Sequence, residues 1–221
     1  MELQQDVPRR RRRNLKDDVA SVLVEDIMAG RMRPGDRINQ DEICARMGIS
    51  RLPVREALIA LESSGLVQNL PRHGSFVAHI TPNDVLDHFA IFGVVSGLAT
   101  QYAVDTLTDA ELDELRALLQ KMHKAHDPGT ALELNYQFHR KIHTAGTSYR
   151  LRAHIKGLLK VIPEALFVGN EWGPRSEADH REILETLVSR DRAKAFTAAE
   201  QHLRGSGERA VQMLTEAGFW S

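Results

Sequence analysis

Four side chains in the second half of this 221-residue chain are of the types that a metal ion recruits. Asn135 and His139 stand four residues apart in NYQFHRKIH, which on a helix places both on one face. His180 falls in DHREIL and His202 in AEQHL. If these segments are three helices of one bundle, the four side chains can converge in its interior, where such folds build metal sites. Imidazole donors suit zinc, nickel and other late divalent ions. The spacing leaves a second reading open, in which these are ordinary core or surface histidines, because three histidines on three helices is a pattern that chance also supplies. His143, one turn beyond His139, either replaces a ligand or lines the cavity wall.

The first half offers a different chemistry. Ser50, Arg51 and Arg55 open a helical segment and put two guanidinium groups one turn apart on one face. The planar fork of arginine can bond bidentately to a guanine edge or clamp a phosphate, while a serine hydroxyl and a helix N-terminus suit phosphate contact. Arg72, His73 and Gly74 form a tight tip in which glycine lets the backbone approach a sugar-phosphate chain or a minor groove. Two isolated arginines are also compatible with plain solvated helix charges.

The elements that must position these groups follow from periodicity and punctuation. Leu15, Val19, Val22, Leu23 and Ile27 recur at helical spacing, predicting a helix over 15–29 that stops before Gly30. Helices over 41–47 and 51–64 follow, separated by a very short connection at Gly48 that forces a steep crossing, as in a helix-turn-helix. Ser50 occupies the N-cap position of the third helix and Pro53 lies early in it. Two short apolar strands, 66–69 and 75–78, are joined by Pro-Arg-His-Gly and predict a two-stranded wing. Beyond Thr81 and Pro82 every regular segment has helical periodicity, with helices expected near 82–104, 108–125, 130–145, 149–168, 176–189 and 192–216. Thr108 with Glu111, Ser176 with Asp179, and Asp191 read as N-terminal caps. The fold class is therefore mostly α: a winged helix-turn-helix over 14–80, preceded by a basic arm over 1–13, and an all-helical bundle of about six helices over 81–221.

Composition narrows the function classes. With 42% hydrophobic and 27% charged residues the chain is ordinary globular material. It has no apolar run near the roughly 20 residues that a membrane helix needs, and its first residues lack the apolar stretch of a secretory signal, so a cytoplasmic location is expected. The single cysteine, Cys44, cannot close an internal disulfide. Lys and Arg number 13 against 11 Asp and Glu up to residue 80, and 16 against 19 afterwards. That asymmetry is slight, but Arg9 to Arg13 are consecutive, a run that repels itself unless it meets phosphates. No HExxH helix, nucleophile elbow or glycine-rich phosphate loop is present, which leaves a metal-dependent hydrolase with little support.

The stretch MRPGDRINQDEICARMGISRLPVREALIALESSGLVQNLPRHGSFV resembles the winged-helix domain of the GntR family of bacterial regulators. The likeness rests on the Pro-Gly turn, the Gly-x-Ser-Arg-x-Pro-Val-Arg-Glu-Ala-Leu segment, the Leu-x-x-x-Gly-Leu-Val link and the closing Gly-x-x-Val. It implies operator contacts from Arg51, Arg55, His73 and Gly74, with Ser50 and Arg72 as additional contacts. Asp41 stands where some members present a basic residue. One recognition helix reads only a few base pairs, so a homodimer on a two-fold operator of double-stranded DNA is expected.

Residues 82–216 resemble the helical ligand-binding domain of the FadR subfamily, the FCD domain, in LNYQFHRKIHTAG, DHREILETLVSRDRAKA and AEQHL. The resemblance implies a divalent cation, zinc or nickel, held by Asn135, His139, His180 and His202, and a small carboxylate effector completing its coordination. A ligand-responsive repressor is the implied function, with a ligand-independent regulator containing a structural polar cluster as the alternative. Two departures stand out. Asn135 replaces the Asp of many members, so the metal gains less Coulombic stabilisation. Phe92 and Ser96 stand where members commonly have Arg and Glu, which implies a less polar pocket or a different effector.

Overall fold

The computed structural model describes residues 15–159 and 174–220. The basic arm, and residues 160–168 of the helix expected from 149, lie outside this range. The chain divides into two compact units, up to His79 and from Ile80 onward.

The first unit holds α1 (Leu15–Met28), β1 (Arg37–Ile38), α2 (Gln40–Met47), α3 (Arg51–Ser63), β2 (Val67–Leu70) and β3 (Gly74–Val77). Of the α1 residues at helical spacing, Val19, Leu23 and Ile27 are fully buried, Val22 is half-buried and Leu15 is exposed; α1 packs against α3, whose Val54, Leu58 and Leu61 are buried. Asn39 caps α2 by accepting from the Asp41 N–H, and Gly48 ends it in the left-handed region at φ 65°, where a side chain would be strained. Ser50 does sit at the N-cap of α3 with extended backbone, but its hydroxyl makes no capping bond, leaving it available to another acceptor. Asp26, at the end of α1, is buried and receives bonds from Arg31 Nε (2.7 Å) and Arg46 Nη2 (2.6 Å), which ties α2 to α1. Burial acts to raise its carboxyl pKa, but both guanidinium groups outweigh it and hold the group below the ordinary value.

The wing differs from expectation in its strand count. The sheet has three antiparallel strands in the order β1-β3-β2, with Arg37 opposite Phe76 and Ile38 opposite Ser75. A two-residue strand is too short for an alternation to be visible, although Ile38 is buried and anchors it. At the tip of the β2–β3 hairpin, Arg72 adopts φ 66°, a conformation uncommon for a residue with a side chain.

The second unit holds α4 (Pro82–Thr106), α5 (Asp109–His123), α6 (Pro128–Thr144), α7 (Tyr149–Leu159), α8 (Pro174–Val188) and α9 (Arg192–Glu216). Reciprocal capping boxes start α4 (Thr81 with Asp84) and α5 (Thr108 with Glu111), and Asp191 caps α9. Helix α6 begins two residues earlier than expected because Asp127 caps it and Pro128 occupies its first turn. Ser176 is not a cap: α8 starts at Pro174, and Ser176 is buried inside its first turn with its hydroxyl unpartnered. No helix among the described residues is long and apolar enough to cross a membrane.

Helices α4 and α9 share the most extensive packing in this unit, and glycines allow it. A Cβ at Gly97 would lie 2.8 Å from the Phe196 carbonyl oxygen, one at Gly93 would lie 2.9 Å from that of Glu200, and one at Gly207 would lie 2.7 Å from Phe89 Cβ. The close approach brings α9 deep enough for His202 to face the interior. Gly97→Val should therefore cost about 1–3 kcal/mol by overpacking and lower the unfolding temperature of this unit by several degrees, which calorimetry on the full chain would read; an unchanged transition would contradict the tight α4–α9 contact.

Candidate metal centre and nucleic-acid interface

Three helices place the imidazoles. His139 on α6, His180 on α8 and His202 on α9 offer ring nitrogens that all lie within 4.8 Å of one another. Nε2 of His139 and Nε2 of His180 are 3.0 Å apart, and the His180 and His202 ring centroids are 4.6 Å apart. The short α8–α9 connection makes these helices antiparallel neighbours, which brings His180 and His202 to the same level. His180 and His202 are buried and His139 is half-buried. Desolvation, followed by the mutual repulsion of neighbouring histidine charges, pushes His139 well below its ordinary pKa; desolvation, His202 and the charge of Arg209 do the same for His180. Both rings are thus neutral at pH 7 and retain a lone pair for a metal.

His202 Nδ1 lies 3.3 Å from Asp179 Oδ2. A carboxylate there accepts from Nδ1, which orients the ring and leaves Nε2 as the nitrogen that can face a metal. Asn135, one turn before His139, is buried with Oδ1 lacking any hydrogen-bond partner, an arrangement costly unless a further group completes it. These features fit a divalent cation: two nitrogens bound to one tetrahedral zinc at about 2.0–2.1 Å lie roughly 3.3 Å apart, close to the His139–His180 separation.

His143 is arranged differently. Its Nε2 is 2.6 Å from Ser96 Oγ, and burial, with the His202 charge, pushes its pKa down to about 4. Ser96, which departs from the family pattern, therefore occupies the His143 nitrogen. Phe92, the other departure, is buried and forms cavity wall. The cavity measures about 490 Å³ and is lined by Asn135, His139, His143 and His202, by apolar side chains including Phe92, Ile155 and Leu203, and by Arg140, Arg152 and Lys156.

The first unit displays the other set. Arg51 and Arg55 are exposed on α3. Arg51 is engaged by Asp41, with Nε donating to Oδ1 at 2.8 Å and Nη2 to Oδ2 at 2.9 Å. Arg72, His73 and Gly74 lie at or beside the β2–β3 tip, as the sequence order requires.

Sequence reading did not single out several residues that share these surfaces. Leu52 is 65% exposed between the two arginine positions, and its signal was an apolar residue off the buried stripe of α3. Asp179 reads from the sequence only as a cap partner, not as the carboxylate behind His202. Arg209 touches the centre only through tertiary folding: its Nη2 donates to Ser206 Oγ at 2.9 Å, while Nε and Nη1 are buried without partners.

A winged helix in one unit and a helical bundle with an interior histidine cluster in the other define a two-domain protein with the parts of a DNA-binding regulator. Residues 15–77 match the family described as bacterial regulatory proteins, gntR family, and residues 87–205 match the FCD domain. The chain belongs to the GntR family, in its FCD-containing arrangement. It is 30% identical over 205 residues to an uncharacterized HTH-type transcriptional regulator in an unstable DNA locus of Streptomyces ambofaciens, covering 87% of this chain and 83% of that protein. It is 24% identical to the HTH-type transcriptional repressor RspR of Escherichia coli, covering 93% of each. The chain spans 63% of the length of an uncharacterized Mycobacterium tuberculosis regulator to which it is 27% identical. Among solved structures, E. coli McbR/YncC shares the fold with a TM-score of 0.62 at 22% identity, covering 91% of this chain and 97% of that one.

The neutral histidines have a consequence for the metal-free protein. In the unfolded chain a histidine titrates near 6.5, whereas in the folded unit His139, His143 and His180 titrate lower. The unfolded state therefore binds more protons. Stability is fully present above about pH 6.5 and falls as pH drops below it, by up to about 1.4 kcal/mol per pH unit for each such group. Unfolding temperatures of chelator-treated protein between pH 7.5 and 5 should show this decline, and a flat profile would contradict it.

Proposed function

We propose that the protein is a ligand-responsive transcriptional regulator that binds a two-fold operator as a homodimer and senses a small carboxylate at a divalent metal in its FCD domain. The observation that carries this reading is a group of three imidazoles, two of which, His139 and His202, line a cavity of about 490 Å³, in a chain whose other unit is a gntR-type winged helix. His139, His180, His202 and Asn135 would hold the cation, zinc or nickel by donor chemistry. The cation would supply a Lewis-acidic positive charge to a bound acid. Asp179 orients His202, and Ser96 holds His143 in the wall. The relatives named above are regulators, which counts against a hydrolase. RspR is named a repressor, which supports repression here.

Support for a dimer comes from α4, where Ile91, Val94 and Tyr102 form an exposed apolar stripe at 57%, 46% and 36% exposure. On the DNA side, Ser50, Arg51, Arg55, Arg72, His73 and Gly74 are assigned to contact, Arg55 without an internal ion pair among the described residues and Arg51 after release from Asp41. Since an exposed ion pair is worth at most about 1 kcal/mol, duplex phosphates or a guanine edge can displace Asp41.

Arg55→Ala should weaken operator binding by about 1–3 kcal/mol, whereas Asp41→Asn should strengthen it several-fold by freeing Arg51 and removing a charge facing phosphate. Binding of the full chain to a duplex obtained by unbiased selection reads both; an Asp41→Asn protein no tighter than the native one would remove the Arg51 assignment.

The donor set contains no negative charge, and Arg209 stands near it. An acid that joins the metal must therefore tighten metal binding, and by linkage the metal must tighten acid binding by the same factor. Cation content after growth with zinc or nickel should be one per chain and fall to zero in His180→Ala. Adding metal with an acid should then change operator affinity in the native protein but not in that variant. A native protein that retains no cation, or an operator affinity indifferent to metal and acids, would overturn the sensing role.

A further inference from the structure

The cavity wall shows an imbalance of charge. Arg140, Arg152 and Lys156 line the same space as His139 and His202, and no Asp or Glu is among the described residues that line it. Arg152 and Lys156 are one turn apart on α7, and Arg140 follows His139 directly on α6. Arg152 is half-buried and donates from Nη1 to the Thr147 carbonyl oxygen, which steadies its stem and leaves its other N–H groups without a partner among the described residues. None of the three cations has an ion-pair partner among the described residues. Phe92, Ile155 and Leu203 give the same wall apolar surface.

Three like charges around one space repel one another unless anionic charge enters. A single carboxylate bound to a metal at the histidines would leave that cationic wall unanswered. Arginine in particular is suited to bidentate pairing with carboxylate. The cavity volume is within the range for small-molecule sites, which run to a mostly apolar lining with a few fixed polar groups.

We infer that the cavity is selective for a compact diacid, one carboxylate joining the metal at His139, His180 and His202 and the other paired with Arg152, Lys156 and Arg140 across an apolar midsection. The inference rests on the metal-and-acid reading above and narrows its effector to a dianion with separated charges. It also accounts for Phe92 and Ser96: the positive charge that family members commonly supply from α4 is supplied here from α6 and α7.

The test is titration calorimetry on the full-length, zinc-loaded protein with unbranched α,ω-diacids of three to six carbons, each against the monoacid of matching length. At least one diacid should bind tenfold or more tighter than its monoacid. Lys156→Gln, at an exposed position with no ion-pair partner among the described residues, and the double variant Arg152→Gln/Lys156→Gln should reduce that diacid toward monoacid affinity. Zinc content and unfolding temperature should stay unchanged in Lys156→Gln, and the diacid should lose more affinity than the monoacid. Monoacids that equal every diacid, or a Lys156→Gln protein and an Arg140→Gln protein that both retain the full preference, would overturn the diacid inference while leaving the metal-and-acid reading intact. Zinc-dependent binding of no acid at all would overturn both.

Discussion

Everything distinctive about the second unit depends on three imidazoles being held together in the interior of a helical bundle. Three charged imidazoles would repel one another in so small a volume, and burial, with that repulsion, pushes the pKa values of His139 and His180 well down. The close α4–α9 contact through Gly93, Gly97 and Gly207 seats α9, and the Asp191 cap sets its start directly after α8. His202 consequently meets His180, while His139 is delivered by α6. A group so desolvated, with an orphaned amide oxygen from Asn135 beside it, has the character of an incomplete coordination shell more than of a finished core.

Local signals made most of the architecture legible. Buried stripes at helical spacing, Pro at the first turn and Ser, Thr or Asp at the caps located the helices, because those preferences are decided within a few residues. Failures occurred where the decisive partner is remote or the element too short. β1 is a strand only because β3 lies beside it. Ser176 resembles a cap in isolation, yet Pro174 has already begun the helix. The starting residue of α6 was missed although Asp127 and Pro128 signal it. For the candidate centre, His139, His180 and His202 were nameable in advance through residue type and family likeness, and the structure brings them together. Arg209 and the cations of α7 join the same region through tertiary packing, so their relation to it is invisible in one dimension, and the sequence adjacency of Asp179 to His180 does not reveal that its carboxylate meets His202.

The first unit shows how an electrostatic detail can tune a recognition helix without altering its fold. Asp41 belongs to α2 and Arg51 to α3, so their ion pair spans the two helices of the helix-turn-helix. The free protein thereby keeps one arginine partly neutralised while Arg55 stays open. The buried Asp26, bonded to Arg31 and Arg46, acts instead as a structural clamp, shielded from solvent, that fixes α2 against α1. Two aspartate–arginine arrangements in one small domain thus differ in burial and, accordingly, in consequence.

X-ray absorption at the zinc edge of the loaded full-length protein gives the most direct view of the proposed centre. The expected spectrum has only nitrogen and oxygen neighbours at about 2.0–2.1 Å, with the multiple scattering of three imidazole rings. A spectrum containing sulfur, or one lacking imidazole scattering, would contradict the assignment of the cation to His139, His180 and His202.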